Sequence, residues 1–163
     1  MPSPPYALPC MLVLAATLLV AAAWQVSAQQ GSAQQGLALV AYRISGDAIP
    51  EPLGGLQGDA ARGRALVLDR TIGNCLICHH APVPAERFMG EIGPELAGIG
   101  SRLTPAQIRL RVVDQSLLNA RTVMPPYYRV DKLARVAERY RDKPVLDAQQ
   151  VEDVVAYLTS LRS

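Results

Sequence analysis

Histidine occurs twice in the 163 residues and cysteine three times, while aromatic residues make up 5% of the chain. Each scarcity excludes something. Cys75, Cys78 and His79 stand together, but His80 is the only other histidine and no fourth thiol lies nearby, so a four-ligand structural zinc site cannot be completed. Alternating apolar and polar residues are also missing, which leaves a sheet without its period-two signal. A thioredoxin-like dithiol needs a strand before it, whereas Asp59 to Asp69 reads as helix. No basic tract appears and the formal net charge is only +2, so nothing favours nucleic acid as a partner.

The amino terminus carries a different signal. Met11 to Ala23 is apolar except for Thr17, too short for a spanning helix. Val26-Ser27-Ala28 places small residues at −3 and −1 of a cleavage before Gln29. Residues 1–28 are therefore expected to be a secretory signal peptide that is removed on export, although no Lys or Arg precedes the apolar run. Removal takes Cys10 and Trp24 with it and leaves Cys75 and Cys78 without a thiol for any structural disulfide. About 135 residues would remain, a size at which a large cofactor can complete a core the chain only partly builds. No membrane association is expected after cleavage.

Residues 29–57 read as a flexible leader followed by an extended arm: Leu37 to Tyr42 is apolar, then Gly46, Pro50, Pro52 and Gly54-Gly55 interrupt. Residues 58–163 read as one helical domain. Asp59 caps a helix running to about Asp69, with Gly63 inside it suggesting a close helix crossing. Thr104-Pro105-Ala106-Gln107 combines a capping box with proline at the first helical position and opens a helix to about Leu118. Asp147 and Gln150 cap the last helix, whose stripe is Val151, Val154, Val155, Leu158 and Leu161, with Glu152 and Asp153 near its positive end.

Cys75-Leu76-Ile77-Cys78-His79 has the spacing by which a polypeptide attaches haem covalently, one thiol to each vinyl group, with the following histidine as proximal iron ligand. His80, beside His79, cannot reach the opposite face of the ring and is expected at the surface. The sixth ligand is then Met89 or Met124. Met124 precedes Pro125-Pro126, which fix an extended loop, and lies beyond an intervening helix, so it is the expected ligand. Histidine plus methionine saturates the iron and raises its potential, which favours electron transfer over peroxidatic or gas-binding chemistry. The carbonyl of Pro94, in Gly93-Pro94-Glu95-Leu96, can orient the His79 imidazole. Tyr127, Tyr128, Arg102, Arg121 and Arg129 are further candidates for contact with haem propionates or a partner, with packing and solvated surface as the plain alternatives.

Taken together, the glycine-bearing first helix, CXXCH, Gly-Pro-X-Leu, Met-Pro and the amphipathic last helix resemble a class I cytochrome c, an all-α fold around one covalent haem. The resemblance implies that the first and last helices cross, with Gly63 meeting Tyr157. Gly46-Asp47-Ala48-Ile49-Pro50, Gly58 to Arg64, Ile92 to Leu103, Thr122 to Val130 and Lys143 to Leu158 are similar more specifically to the SoxX family, monohaem cytochrome subunits of the SoxAX sulfur-oxidation complex. That resemblance implies one haem c on Cys75 and Cys78 with His79 and Met124 as axial ligands, and a periplasmic heterodimer with SoxA. It implies a complex that couples thiosulfate to a carrier cysteine on SoxYZ (an L-cysteine S-thiosulfotransferase), with no catalytic residue on this chain. Electrons then pass to a soluble acceptor. A free-standing monohaem shuttle is the alternative; the arm favours a subunit, because a lone shuttle gains little from it.

Overall fold

The computed structural model describes residues 39–162. The expected signal peptide, the whole of the Gln29–Gln35 leader and the first residues of the arm lie outside the described residues. The rest belongs to one compact unit, residues 36–163. Its helices are α1 (Ala60–Leu68), α2 (Ile99–Arg102), α3 (Pro105–Asp114) and α4 (Ala148–Ser160), with single 3₁₀ turns at Leu53–Gly55, Cys75–Ile77, Gln115–Leu117 and Glu138–Tyr140. Among the described residues the only β pairing is an isolated Ser45–Ala48 bridge, so the fold is all-α.

The helix starts follow from local chemistry. Asp59 accepts the Arg62 amide at 2.8 Å. Thr104–Gln107 and Asp147–Gln150 both form complete capping boxes, each satisfying amides that a helix leaves without partners. The helix that begins at Pro105 ends as α-helix at Asp114 and continues as a 3₁₀ turn through Leu117. Helix α4 is the hub: α1, α2 and α3 all pack on it. Val151 is fully buried and Val154 and Val155 nearly so, each such side chain contributing roughly 1.5–3 kcal/mol.

Close approach needs glycine. A Cβ on Gly63 would run into the Asp153 carbonyl oxygen and come within 2.9 Å of Tyr157 Cβ, so the first and last helices cross there as the family resemblance implies. Gly58 and Gly100 lie equally tight on the carbonyls of Glu152 and Thr159. No helix among the described residues is long and apolar enough to cross a membrane.

The arm lies across this bundle. Ile49 and Leu53 are buried in the core. With no ladder to join, its backbone groups take partners from α3 and α4, as buried peptide groups must. The Ile49 amide donates to the Ala106 carbonyl at 3.0 Å. The Ile49 carbonyl accepts from Arg109 Nη1 at 2.8 Å, and the Leu53 amide donates to Glu152 Oε1 at 2.9 Å. Arg109 and Glu152, 4% and 3% exposed, form a bidentate pair at 2.8 and 2.9 Å. Val40 closes the arm by donating to Tyr128 Oη at 2.6 Å.

Candidate functional site

A short turn sets the reactive residues. Asp69 ends α1 and its carboxylate accepts the Thr71 and Ile72 amides, turning the chain back. Asn74 then takes a left-handed conformation (φ 47°), which asparagine tolerates better than most residues. From there the Cys78 and His79 amides both donate to the Cys75 carbonyl, at 3.2 and 3.0 Å. One helical turn thus puts positions i, i+3 and i+4 (Cys75, Cys78 and His79) on one side.

The segment after it is stitched back onto the turn. Gly90, Gly93 and Leu96 amides donate to the carbonyls of Leu76, Cys78 and His80 at 2.7–2.8 Å. This brings Pro94 to His79: Nδ1 donates to the Pro94 carbonyl at 2.6 Å, the contact expected from the sequence. A carbonyl only accepts, so a proton is held on Nδ1, and in the neutral imidazole the lone pair is left on Nε2. Gly93 lies against the ring itself, where a Cβ would come within 2.7 Å of Nδ1 and 2.8 Å of Nε2. His80 is exposed, 3.5 Å from Glu95 Oε1, and takes no part.

Cys75, His79 and Met124 line one cavity of about 210 Å³, walled by aliphatic side chains including Leu96, Ile108, Val154 and Leu158. A second cavity, about 350 Å³, shares Cys75, His79, Met124 and Tyr127 and adds Cys78 to its wall. Met124 is delivered by a separate loop. The Tyr127 and Tyr128 amides dock on the carbonyls of Val112 and Val113 at the end of α3, and the Tyr127 hydroxyl donates to the Gly73 carbonyl at 2.7 Å. That last bond ties the methionine loop to the cysteine turn. Met89 is engaged elsewhere: its Sδ accepts the Ala81 amide at 3.3 Å and it lines neither cavity.

Both cysteines are free. Burial pushes the Cys75 thiol up to about 11, with the Tyr127 hydroxyl pulling partly the other way. At neutral pH it is a protonated, sluggish nucleophile, unlike the thiolate of a dithiol exchanger. Burial, then the neighbouring Cys75, raises Tyr127 as well. Among the described residues no three His, Cys, Asp or Glu side chains converge to hold a bare metal ion; the nitrogen and sulfur donors are spread around a cavity.

The other sequence candidates are committed to structure. Arg102 donates to the Ala97 and Glu95 carbonyls, and Arg129 pairs with buried Asp114. Tyr128 is buried beneath the arm, its ring 6.4 Å from that of Tyr42. Arg121 is exposed and lines neither cavity. The cation that does line the cavity is Arg111, with Gln115 one turn on. Sequence reasoning passed over it because a lone helical arginine reads as solvated; its spacing from Ile108 and Gln115 was the available signal. Around the second cavity Ile77, Ile92 and Val123 stand open at 58%, 70% and 76% exposure, with Arg70 and Arg139 also on its wall.

The chain matches no protein-family model and no curated protein sequence. Among solved structures it is similar to a chain of the crystal structure of SoxXA from P. pantotrophus, with 34% identity and a TM-score of 0.69 over 75% of this chain and 95% of that one. Identity at that level across nearly the whole of the matched chain, on the same all-helical frame, shows that this chain belongs to the SoxX family of class I, c-type cytochromes.

Proposed function

We propose that this chain is the electron-accepting, monohaem subunit of a periplasmic thiosulfate-oxidising complex of the SoxAX type. One haem c would be held covalently by Cys75 and Cys78, with His79 and Met124 supplying nitrogen and sulfur to its iron. The observation that carries the reading is that Cys75, His79 and Met124, far apart in sequence, line one aliphatic cavity. The donor set fits: an imidazole whose Nδ1 is engaged by a carbonyl, leaving Nε2 for a ligand, a thioether, and two free thiols on one helical turn. When bound there, haem supplies a one-electron couple that histidine–methionine ligation biases toward the reduced state.

The chain's own work is positioning. The Pro94 carbonyl fixes the tautomer and tilt of His79. Gly93 leaves the ring its space, and Pro125-Pro126 stiffen the loop carrying Met124. The aliphatic walls keep water out. No further thiol is available among the described residues for a sulfur adduct, so the sulfur chemistry belongs on the SoxA partner, with SoxYZ a transient visitor and a soluble protein the electron acceptor. The exposed Ile77, Ile92 and Val123 rim supports a permanent subunit contact over a free shuttle.

Purification from the native periplasm, followed by haem-stained electrophoresis, tests the reading. A second cytochrome at fixed stoichiometry is the expected result. A coloured, monodisperse monomer favours the free shuttle, and a colourless chain with two titratable thiols refutes the haem assignment.

A further inference from the structure

Arg111 stands on an aliphatic wall at 28% exposure, and the protein answers its charge only in part. Its Nη1 donates to the Gln107 carbonyl at 2.9 Å and reaches the Asp47 carbonyl at 3.4 Å, while Nη2 lies 3.4 Å from Asp47 Oδ2. Charge-assisted contacts of this kind normally close to roughly 2.7–2.9 Å. A guanidinium has five N–H donors; Nε–H and one N–H of Nη2 have no partner among the described residues. Other arginines of the fold are saturated differently. Arg109 is bidentate on Glu152, and Arg62 reaches both oxygens of Asp153 at 2.7 Å.

The support of Arg111 is itself built. Asp47 sits on a tight turn closed by the Ser45 and Ala48 amide–carbonyl pair, at 2.9 and 3.2 Å. Its Oδ2 also accepts from Gln107 Nε2 at 2.9 Å. Asp47 and Gln107 therefore fix where the guanidinium stands without using up its donors. A planar fork with spare donors on an aliphatic wall is suited to a carboxylate. Haem carries its carboxylates as propionate side arms.

We propose that Arg111 is the residue of this chain that receives a haem propionate, with Asp47 of the arm and Gln107 as its positioning residues. The inference rests on the haem reading. It links the arm to the cofactor: the turn that docks the arm on α3 also aims the cation at the cavity.

The test uses the full, haem-loaded protein. Removing the cation leaves a propionate charge unanswered and favours the ferric state. R111Q is therefore expected to shift the midpoint potential downward and to move the propionate bending band in resonance Raman spectra, with R111K restoring most of both. D47N keeps the cation but loosens its support, and is expected to change the potential and to move the propionate band; at a half-exposed turn it carries the test if R111Q does not accumulate. R64Q, an exposed control on α1, is expected to change neither readout. A coloured R111Q protein with parental potential and an unmoved propionate band overturns the Arg111 assignment alone, as does D47N with both readouts unchanged. A colourless parent protein overturns the haem reading beneath it.

Discussion

Two methionines of similar chemistry have been sorted by their surroundings. Met124 faces the cavity that His79 and Cys75 share, while the Met89 sulfur takes an amide proton from Ala81. Met124→Ala is expected to abolish the near-infrared methionine-to-iron band and to lower the potential while colour is retained. Met89→Ala should keep the band and cost about 2 kcal/mol of stability, as removal of a partly buried side chain does. Absorption spectra and denaturant titration check both. At Gly93 an added methyl group meets a ring that Pro94 prevents from turning away. Gly93→Ala is expected to destabilise by roughly 1–3 kcal/mol, the cost of overpacking, and to lower the yield of haem-loaded protein, read from the ratio of haem absorbance to protein. The His79–Pro94 contact was legible in the sequence because both residues belong to a short, patterned stretch. Arg111 was not, because its role depends on Asp47, which approaches only in the folded state.

At the scale of elements, the three long helices were legible and the arm's attachment was not. Capping boxes at Thr104 and Asp147 are written within four residues, so local chemistry suffices to place the starts of α3 and α4. Helix α2 has four residues and begins after Gly98 in a left-handed conformation (φ 66°), too short to show a period. The arm was recognisable from its Pro/Gly punctuation, but its anchor joins Arg109 to Glu152 across 43 positions. Glu152 and Asp153 were expected near the positive end of α4; they do lie in its early turns, yet both are buried and paired. A hint was present, since an arginine and a glutamate stood on otherwise apolar faces. Glu152→Ala strands Arg109 in the core and frees the Leu53 amide. Loss of about 3–5 kcal/mol is expected, as when one partner of a buried ion pair is removed, with faster proteolysis within residues 40–53. Chemical denaturation and limited digestion provide the measurements.

For the molecule as a whole, a carboxylate on α4 that joins it to α1 ties stability to pH. Burial pushes the Asp153 carboxyl up, but the Arg62 guanidinium, the Asp59 amide and Gln149 outweigh it and hold it below its ordinary value. A lowered carboxylate stabilises the fold above its unfolded pKa, roughly 3.9, and that contribution disappears as pH falls through the folded value. The parent protein is therefore expected to lose stability steeply below about pH 4, whereas D153N should be weaker at neutral pH and flatter through the acid range. Thermal melts across pH distinguish the two.

The Leu53 amide and the Glu152 carboxylate are separated by 99 positions, nearly the full span of the described chain. A ribosome or translocon releases the beginning long before the end, so the leading segment has nothing to fasten onto until the last helix emerges. During that interval the thiol-bearing turn lies on an open, unfinished polypeptide whose core has not yet closed. Emergence of the last helix then closes the joint, and a truncation that removes either Leu53 or Glu152 bears on the same contact.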